Sequence, residues 1–283
     1  MTTVSVIVLS MGDRPVELAA AIESARKQQG VEVEVVLVVN GGDPDVGGAD
    51  VVVRPGENLG IPGGRNAGVD AATGHVLAFL DDDAAYLQSD GFDRACQAFD
   101  ADTRLGALGL LLVDEEGATA RRHQPRIGGT AARGPASSFP GGASIIRRDA
   151  FEEVGGLCAA YHYGLEETDL AWRLLDAGWT ILFDTELTVF HPRTEPSRHA
   201  AFHHHTGRNR VWLAHRCLPA PLALAYVTDW AVVTALRSWR NPRNIASYAR
   251  GTLDGFRRLE GPRRPMRWRT VRQLTRLGRP PII

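Results

Sequence analysis

Short apolar runs rich in β-branched residues alternate with helix-like segments through the first 80 residues, and this alternation restricts the fold most. Four such runs fall at residues 4–9, 33–39, 51–54 and 75–80. Their nearly continuous hydrophobicity predicts strands buried on both faces. Apolar residues at helical spacing predict helices at residues 16–29 and 62–72. We therefore predict an α/β domain with a mostly parallel sheet, whose ligand crevice lies beyond the carboxyl ends of the strands.

The remainder of the chain has a looser pattern. Strands are predicted at residues 108–113, 143–147, 180–183 and 188–190. Helices are predicted at residues 149–154 and 165–177, and residues 121–140 resemble a loop. The chain from residue 198 onward is predicted to be largely helical. We expect an α/β domain over residues 1–196 and a mainly helical extension over residues 197–283.

Charge is divided unequally between these two parts. Residues 197–283 contain 17 Arg and 3 acidic residues, which leaves 15 basic and 30 acidic residues in residues 1–196. A basic extension on an acidic body predicts an anionic partner, either a membrane surface or a polyanion. The alternative is that these arginines pair with the acidic body or face water.

Several classes of protein are disfavoured by composition. The sequence has no run of about 18 uncharged apolar residues, and its N-terminus lacks the basic region and cleavage site of a signal peptide. We therefore expect a cytoplasmic protein. Cys96, Cys158 and Cys217 lie far apart, which argues against a disulfide framework or a zinc knuckle.

An acidic triplet, Asp81-Asp82-Asp83, directly follows the fourth predicted strand. Three adjacent carboxylates repel one another, and burial makes each costly unless a cation neutralises them. Oxygen ligands favour Mg²⁺ or Mn²⁺, ions that often complete their shell with substrate phosphates. The triplet therefore predicts a metal site for a diphosphate-bearing substrate, whereas the alternative is a solvated acidic turn.

A glycine-rich loop at residues 56–68 leads into the second predicted helix and contains Arg65. Backbone amides at a helix N-terminus, together with a guanidinium group, favour an anion such as phosphate. The alternative is that the glycines serve only turns and helix packing. The loop is not a dinucleotide-binding fingerprint, because residues 10–15 after the first strand contain only one glycine.

Two glutamates, Glu166 and Glu167, open the predicted helix at residues 165–177. Acidic residues are stabilised there by the helix dipole, which can account for them without any function. A predicted loop at residues 161–164 just upstream can instead bring one of them to the rim of the crevice as a general base.

Taken in order, these motifs resemble glycosyltransferase family 2, a group with the GT-A fold, over roughly residues 3–215. The resemblance rests on an Asn/Gly/Arg segment before the acidic triplet, a later acidic motif and a histidine after the last strand. The matching residues are Asn58, Gly60, Arg65, Asn66, Gly68, Glu166, Glu167, Thr168, Asp169, Leu170, Arg173 and His191.

The resemblance implies roles for the acidic residues. Asp82 is expected to contact the ribose or sugar of a nucleotide sugar, and Asp83 to bind the metal, with Asp81 as the looser member of the triplet. The catalytic base falls on Glu167, where the family usually has aspartate. Because the glutamate side chain is one methylene longer, Glu166 remains a competing candidate.

Further donor contacts are implied by the same resemblance. Gly60, Arg65 and Asn66 belong to the donor-binding segment. His191 corresponds to a histidine near the metal or diphosphate, although a structural histidine is an alternative. The family often has an acid after the second strand where this chain has Val39, so Asn40 or Asp43 is expected to substitute in the base pocket. Finally, Arg208-Asn209-Arg210 resembles a basic stretch of rhamnosyltransferase-like members.

The implied activity is inverting transfer of a sugar from a UDP- or dTDP-sugar to a hydroxyl of a lipid-linked glycan, polysaccharide or natural product. One alternative is a nucleotidyltransferase of similar fold, but its phosphate loop needs a lysine and Lys27, the only lysine, lies on a predicted helix. Another alternative is a non-catalytic protein that binds a polyanion or a membrane surface. Nucleic acid is disfavoured because the extension lacks regularly interleaved aromatic residues.

Overall fold

A computed structural model of the chain describes residues 1–44, 47–120, 123–124, 132–193 and 201–282. The strands are β1 (Thr3–Ser10), β2 (Glu32–Val39), β3 (Val51–Val53), β4 (Val76–Asp81), β5 (Ala85–Tyr86), β6 (Leu105–Val113), β7 (Gly134–Pro135), β8 (Ala143–Arg147) and β9 (Thr180–Phe190). The helices are α1 (Pro15–Arg26), α2 (Gly60–Ala71), α3 (Gly91–Ala101), α4 (Arg148–Glu153), α5 (Glu166–Ala177), α6 (Phe202–Cys217), α7 (Ala220–Arg237), α8 (Pro242–Arg257) and α9 (Trp268–Arg276).

The strands of the described residues form one sheet in the order β3-β2-β1-β4-β8-β6-β9-β5, with β7 paired to β9. The pairs among β3, β2, β1 and β4 are parallel, as is the pair of β6 with β9. β8 lies antiparallel between β4 and β6, so the sheet is mixed. The first residue of β8, Ala143, pairs with Leu80 near the carboxyl end of β4. β8 therefore begins at that edge of the sheet and runs in the direction opposite to β4.

Both faces of the sheet are covered by helices, which explains the continuous apolar strands. On one face, α1 and α3 contribute buried side chains such as Leu18 and Phe92. On the other face, α2, α5 and α6 contribute side chains such as Val69, Leu174 and Trp212. Burial on both faces is typical of α/β domains, and it leaves the strand ends as the place for polar chemistry.

Most predicted elements are present, with four differences, one of which is that the short strand β5 was not predicted. α3 was not predicted, because its buried residues are interspersed with acidic ones and no side-chain cap marks its start. β9 is one strand where two were predicted, because polar residues 184–186 interrupt the apolar pattern opposite a register shift in β6. The predicted loop at residues 121–140 contains β7, although much of it lies outside the described residues.

The C-terminal helices pack on the α/β body through a buried ion-pair cluster. Asp169 on α5 is fully buried, and it accepts hydrogen bonds from Arg216 Nε at 2.7 Å and Arg173 Nε at 2.8 Å. Because Arg216 lies on α6, this cluster joins the two parts of the chain. The boundary predicted at residue 196 lies in a stretch outside the described residues and stays a prediction. Among the described helices, none is both long and apolar enough to cross a membrane.

Candidate active site

Two strand ends bring Asp81, Asp83 and His191 together. Asp81 is the last residue of β4, and His191 directly follows β9. His191 Nε2 lies 3.4 Å from Asp83 Oδ1 and 3.7 Å from Asp81 Oδ2. One ligand atom from each of the three residues lies within 4.8 Å of the others. β4 and β9 run in the same direction, so their carboxyl ends meet at one edge of the sheet.

This trio fits a divalent cation. Two carboxylates and an imidazole match the ligand preferences of Mn²⁺ and suit Mg²⁺ through their oxygen atoms. Burial alone would raise the pKa of Asp81, but the hydrogen bond from His191 and the charge of Arg65 lower it below its usual value. Burial alone would lower the pKa of His191, yet Asp81 and Asp83 raise it. The carboxylate of Asp81 therefore stays ionised where a cation would bind.

Asp82 is not part of this trio. Its Oδ2 accepts a hydrogen bond from Ser10 Oγ at 2.7 Å, and its Oδ1 lies 3.4 Å from Arg14 Nη1. Burial raises the pKa of Asp82 to about 6, although Ser10 and Arg14 oppose the shift. Arg14 also pairs with Asp83. The sequence analysis did not assign Arg14, because its contact with Asp82 depends on β1 and β4 being neighbours in the sheet.

Arg65 links the trio to the glutamate pair. It lies on α2 with only 3% of its surface exposed, and its Nη2 lies 2.8 Å from Asp81 Oδ1. Its Nη1 lies 3.8 Å from Glu166 Oε1. The guanidinium group therefore neutralises two carboxylates of the protein itself and fixes their separation.

A cleft of about 390 Å³ is lined by residues of both the candidate metal-binding trio and the glutamate pair. Its walls include Asp81, His191, Arg65, Glu166, Glu167 and Arg279. Burial raises the pKa values of Glu166 and Glu167. The negative charge of Asp81 raises the pKa of Glu166 further, and the negative charge of Glu166 raises that of Glu167. A carboxylate with a raised pKa can accept a proton near neutral pH, which is the requirement for a general base.

Gly142 also lines the cleft, at a point of very close approach. A Cβ atom at this position would collide with the carboxylate of Asp81. The backbone leading into β8 can therefore pass beside Asp81 only because residue 142 has no side chain.

The loop before the two glutamates is held by α6. In this loop His162 and Leu165 adopt positive φ angles of 59° and 72°, which are uncommon for residues other than glycine. The Asn209 side-chain nitrogen lies 3.0 Å from the carbonyl oxygen of Tyr161, 2.9 Å from that of Tyr163 and 2.8 Å from that of Gly164. The sequence singled out this basic stretch without predicting that it contacts the loop.

The sequence model of glycosyl transferase family 2 matches residues 5–155, slightly more than half of the chain. The chain belongs to glycosyl transferase family 2. It is 27% identical to the N-acetylglucosaminyl-diphospho-decaprenol L-rhamnosyltransferase of Mycobacterium tuberculosis, over 61% of this chain and 72% of that protein. The prediction of an enzyme of the glycosyltransferase class is confirmed.

Solved structures confirm the GT-A fold of this family 2 chain. GalNAc-T7 with UDP, GalNAc and Mn²⁺ matches with a TM-score of 0.66 and 16% identity, over 83% of this chain and 51% of that one. The chain thus spans about half the length of that transferase. A mannosyltransferase from Pyrobaculum calidifontis in complex with GDP-Man and Mn²⁺ matches with a TM-score of 0.56 and 17% identity, over 92% of this chain and 76% of that one.

Two other residues assigned to the donor site, Asn40 and Asn66, hold backbone near the cleft and are not among its lining residues. The Asn40 side chain accepts a hydrogen bond from Leu59 N at 2.9 Å and donates one to Asn58 Oδ1 at 3.0 Å. Asn66 donates to the Leu157 carbonyl at 2.8 Å and accepts from the Leu157 amide at 3.1 Å. Both asparagines thus fix loop backbone.

Gly60 and Asp43 differ from each other in their surroundings. Gly60 has a φ of 71° and packs against His162 so closely that a Cβ atom would collide with its backbone. The glycine therefore joins the family 2 donor segment to the loop before Glu166. Asp43 is largely exposed and lies 2.9 Å from Arg54 Nη1, so this carboxylate remains accessible to a ligand.

Proposed function

We propose that this enzyme transfers a sugar from a UDP- or dTDP-sugar to an acceptor hydroxyl, with inversion at the anomeric carbon. The observation that carries the proposal is that Asp81 and His191 line the same cleft as Glu166 and Glu167. A cation-binding group and a proton acceptor in one cleft are the two parts that a single displacement requires.

The donor is proposed to bind at the carboxyl edge of the sheet. Asp81, Asp83 and His191 would hold Mn²⁺ or Mg²⁺, which supplies positive charge for the departing nucleoside diphosphate. Asp82 is proposed to contact the ribose or sugar. Two of the similar structures contain a nucleotide or nucleotide sugar together with Mn²⁺, which supports this assignment.

Other motif residues are proposed to shape the donor site. Arg65 keeps Asp81 ionised and oriented, and its charge helps to offset that of the leaving group. Asn40 and Asp43 are proposed for the side of the nucleobase. Gly60 and Asn66 would act by fixing the backbone of the donor-binding segment.

The proton of the acceptor hydroxyl is proposed to pass to Glu167, with Glu166 as the competing base. Burial favours the protonated form of both side chains, so each holds a proton more tightly than an exposed glutamate does. Removal of the proton as the new bond forms at the anomeric carbon makes the reaction a single displacement. Inversion follows from that attack.

The acceptor is proposed to be a lipid-linked glycan, with a polysaccharide or a small natural product as alternatives. Support comes from the rhamnosyltransferase of M. tuberculosis, whose name specifies a diphospho-decaprenol-linked acceptor. A lipid-linked acceptor also suits a cytoplasmic protein that contacts the inner face of a membrane through its basic C-terminal part.

The test is a thermal-shift screen of UDP, dTDP, GDP and CMP, each with and without Mn²⁺. We expect one diphosphate to raise the Tm only when Mn²⁺ is present, and Asp83→Ala to abolish this rise. Asp70→Ala serves as the control, because Asp70 is an exposed aspartate on α2. No stabilisation by any nucleotide would contradict the proposal and favour a non-catalytic protein that binds polyanions.

A further inference from the structure

The exposed face of α7 carries an apolar stripe, which we define as Leu224, Val232, Leu236 and the following Trp239. These side chains are 71%, 53%, 69% and 67% exposed. The spacing of Leu224, Val232 and Leu236 places them within about 120° of one another around the helix, along about 18 Å, and Trp239 follows two residues after the helix ends. Of the residues of α7, only Tyr226 is buried, so the helix lies on the surface of the protein.

Arginines gather at the C-terminal end of the stripe. Arg237, Arg240 and Arg243 are exposed, and within the described residues none of them is in an ion pair with a carboxylate. The Arg240 guanidinium lies over the ring of Trp239, 4.7 Å from its centroid. A tryptophan beside arginines at the end of an apolar stripe is typical of protein segments at a membrane interface.

The only acidic residue of α7, Asp229, does not interrupt the stripe. It is half-buried, and its Oδ2 atom is enclosed by the protein. This surface thus combines exposed apolar side chains with positive charge, which is not typical of a helix face that only contacts water. An anionic bilayer surface has an apolar interior and negatively charged headgroups, so it complements both properties.

We propose that the apolar stripe and Arg237, Arg240 and Arg243 form a docking surface for a membrane leaflet rich in anionic lipids. The apolar side chains would enter the headgroup region, while the arginines contact lipid phosphates. The helix would lie on the membrane without crossing it, in agreement with the lack of a membrane-spanning helix among the described residues. Its use in catalysis rests on the proposed lipid-linked acceptor, but the binding itself does not.

The test measures co-sedimentation of the full chain with phosphatidylcholine vesicles, with and without phosphatidylglycerol. We expect binding to require phosphatidylglycerol and to weaken at high salt. Leu236→Glu should weaken binding by about tenfold or more, because it replaces inserted surface with a charge repelled by the lipids. Removing Arg237 and Arg240 together as glutamines should weaken it by about fivefold for each arginine.

Two control variants change the same residue types elsewhere. Leu87→Glu alters a leucine that is 56% exposed on the α/β body, and Arg104→Gln removes an exposed arginine there. Both should bind vesicles like the unmodified protein.

Three outcomes would overturn the docking surface. They are an absence of binding to anionic vesicles, equal binding by Leu236→Glu, and a concentration-dependent dimer that Leu236→Glu disrupts while vesicles are not bound. The thermal-shift response to nucleotide is measured separately, without lipid. An absence of vesicle binding together with a normal thermal-shift response would contradict the docking surface but not the proposed transfer reaction.

Discussion

The side-chain nitrogen of Asn209 lies 2.8 Å from the carbonyl oxygen of Gly164, two residues before Glu166. Asn209 is fully buried on α6. The C-terminal part of the chain therefore fixes the loop that precedes Glu166 and Glu167, the two candidate general bases. The same loop reaches the donor segment, because the Ile61 amide donates to the His162 carbonyl at 2.8 Å. Donor segment, base and C-terminal helix are thereby held at fixed relative positions.

We expect Asn209→Ala to lower kcat by about tenfold or more, because a small misplacement of the base slows transfer strongly. The loss of buried hydrogen bonds should also lower the free energy of unfolding by about 1–3 kcal/mol. The nucleotide-induced rise in Tm should persist, because Asn209 contacts no proposed donor residue. Asn241→Ala, on the exposed segment before α8, is the control, and an unchanged kcat in Asn209→Ala would contradict the assignment.

Glu167→Gln should keep donor binding and lower transfer by about 10²-fold or more, since the amide cannot accept the acceptor's proton. Transfer is measured with donor and acceptor at saturation, and donor binding by thermal shift. Glu57→Gln, an exposed glutamate in the glycine-rich loop, is the matched control. If Glu166→Gln loses transfer and Glu167→Gln does not, the base is Glu166 instead.

The pH dependence of kcat should report the raised pKa of the base. A glutamate base works only when ionised, so activity should fall with decreasing pH at values above the ordinary carboxyl range of about 4. Glu166→Gln removes a negative charge that raises the pKa of Glu167, so it should move the acidic limb of the profile to lower pH. An acidic limb at the same pH in both proteins would argue against this coupling.

His191→Ala should weaken Mn²⁺ binding by about 10-fold or more, because it removes one of three ligand atoms. Binding can be followed by the electron paramagnetic resonance signal of free Mn²⁺, which needs no acceptor. Chelation by EDTA should abolish transfer, and added Mn²⁺ should restore it. His204→Ala is the control, because His204 pairs with Asp254 away from the sheet edge. Equal Mn²⁺ affinity in both variants would exclude His191 as a ligand.

Arg216→Ala should lower the free energy of unfolding by about 3–5 kcal/mol, because it leaves the buried carboxylate of Asp169 with less compensation. Of the remaining partners of Asp169, Arg173 belongs to α5, and the Cys217 thiol is the one on α6, with its Sγ 3.4 Å from Asp169 Oδ1. Urea denaturation of the full chain measures the change. Arg250→Ala, at an exposed position of α8, should change stability by less than about 0.5 kcal/mol.

The sequence predicts the parts of the site that follow strand ends. Asp81 and Asp83 are predicted because a carboxylate cluster directly follows an apolar strand, which is a local signal. His191 is instead assigned through the resemblance to the family. The structure brings these three residues together, as the metal assignment required.

Arg14 and Asn209 could not be assigned in this way. Arg14 contacts Asp82, which is 68 positions away, and Asn209 contacts Gly164, which is 45 positions away. Neither contact leaves a periodic or spacing pattern in the sequence, because each arises from how helices and strands pack. The order of the sheet, with β8 antiparallel between two parallel groups, depends on the same long-range packing.

Gly142 has a consequence for any scan of sequence variants. The residue carries no ligand atom and no proton, yet even a methyl group there would collide with Asp81. Substitutions at position 142 should therefore displace the Asp81 carboxylate and lower activity. A scan of variants that measures only activity would score this glycine like a catalytic residue, although it only leaves room for the Asp81 side chain.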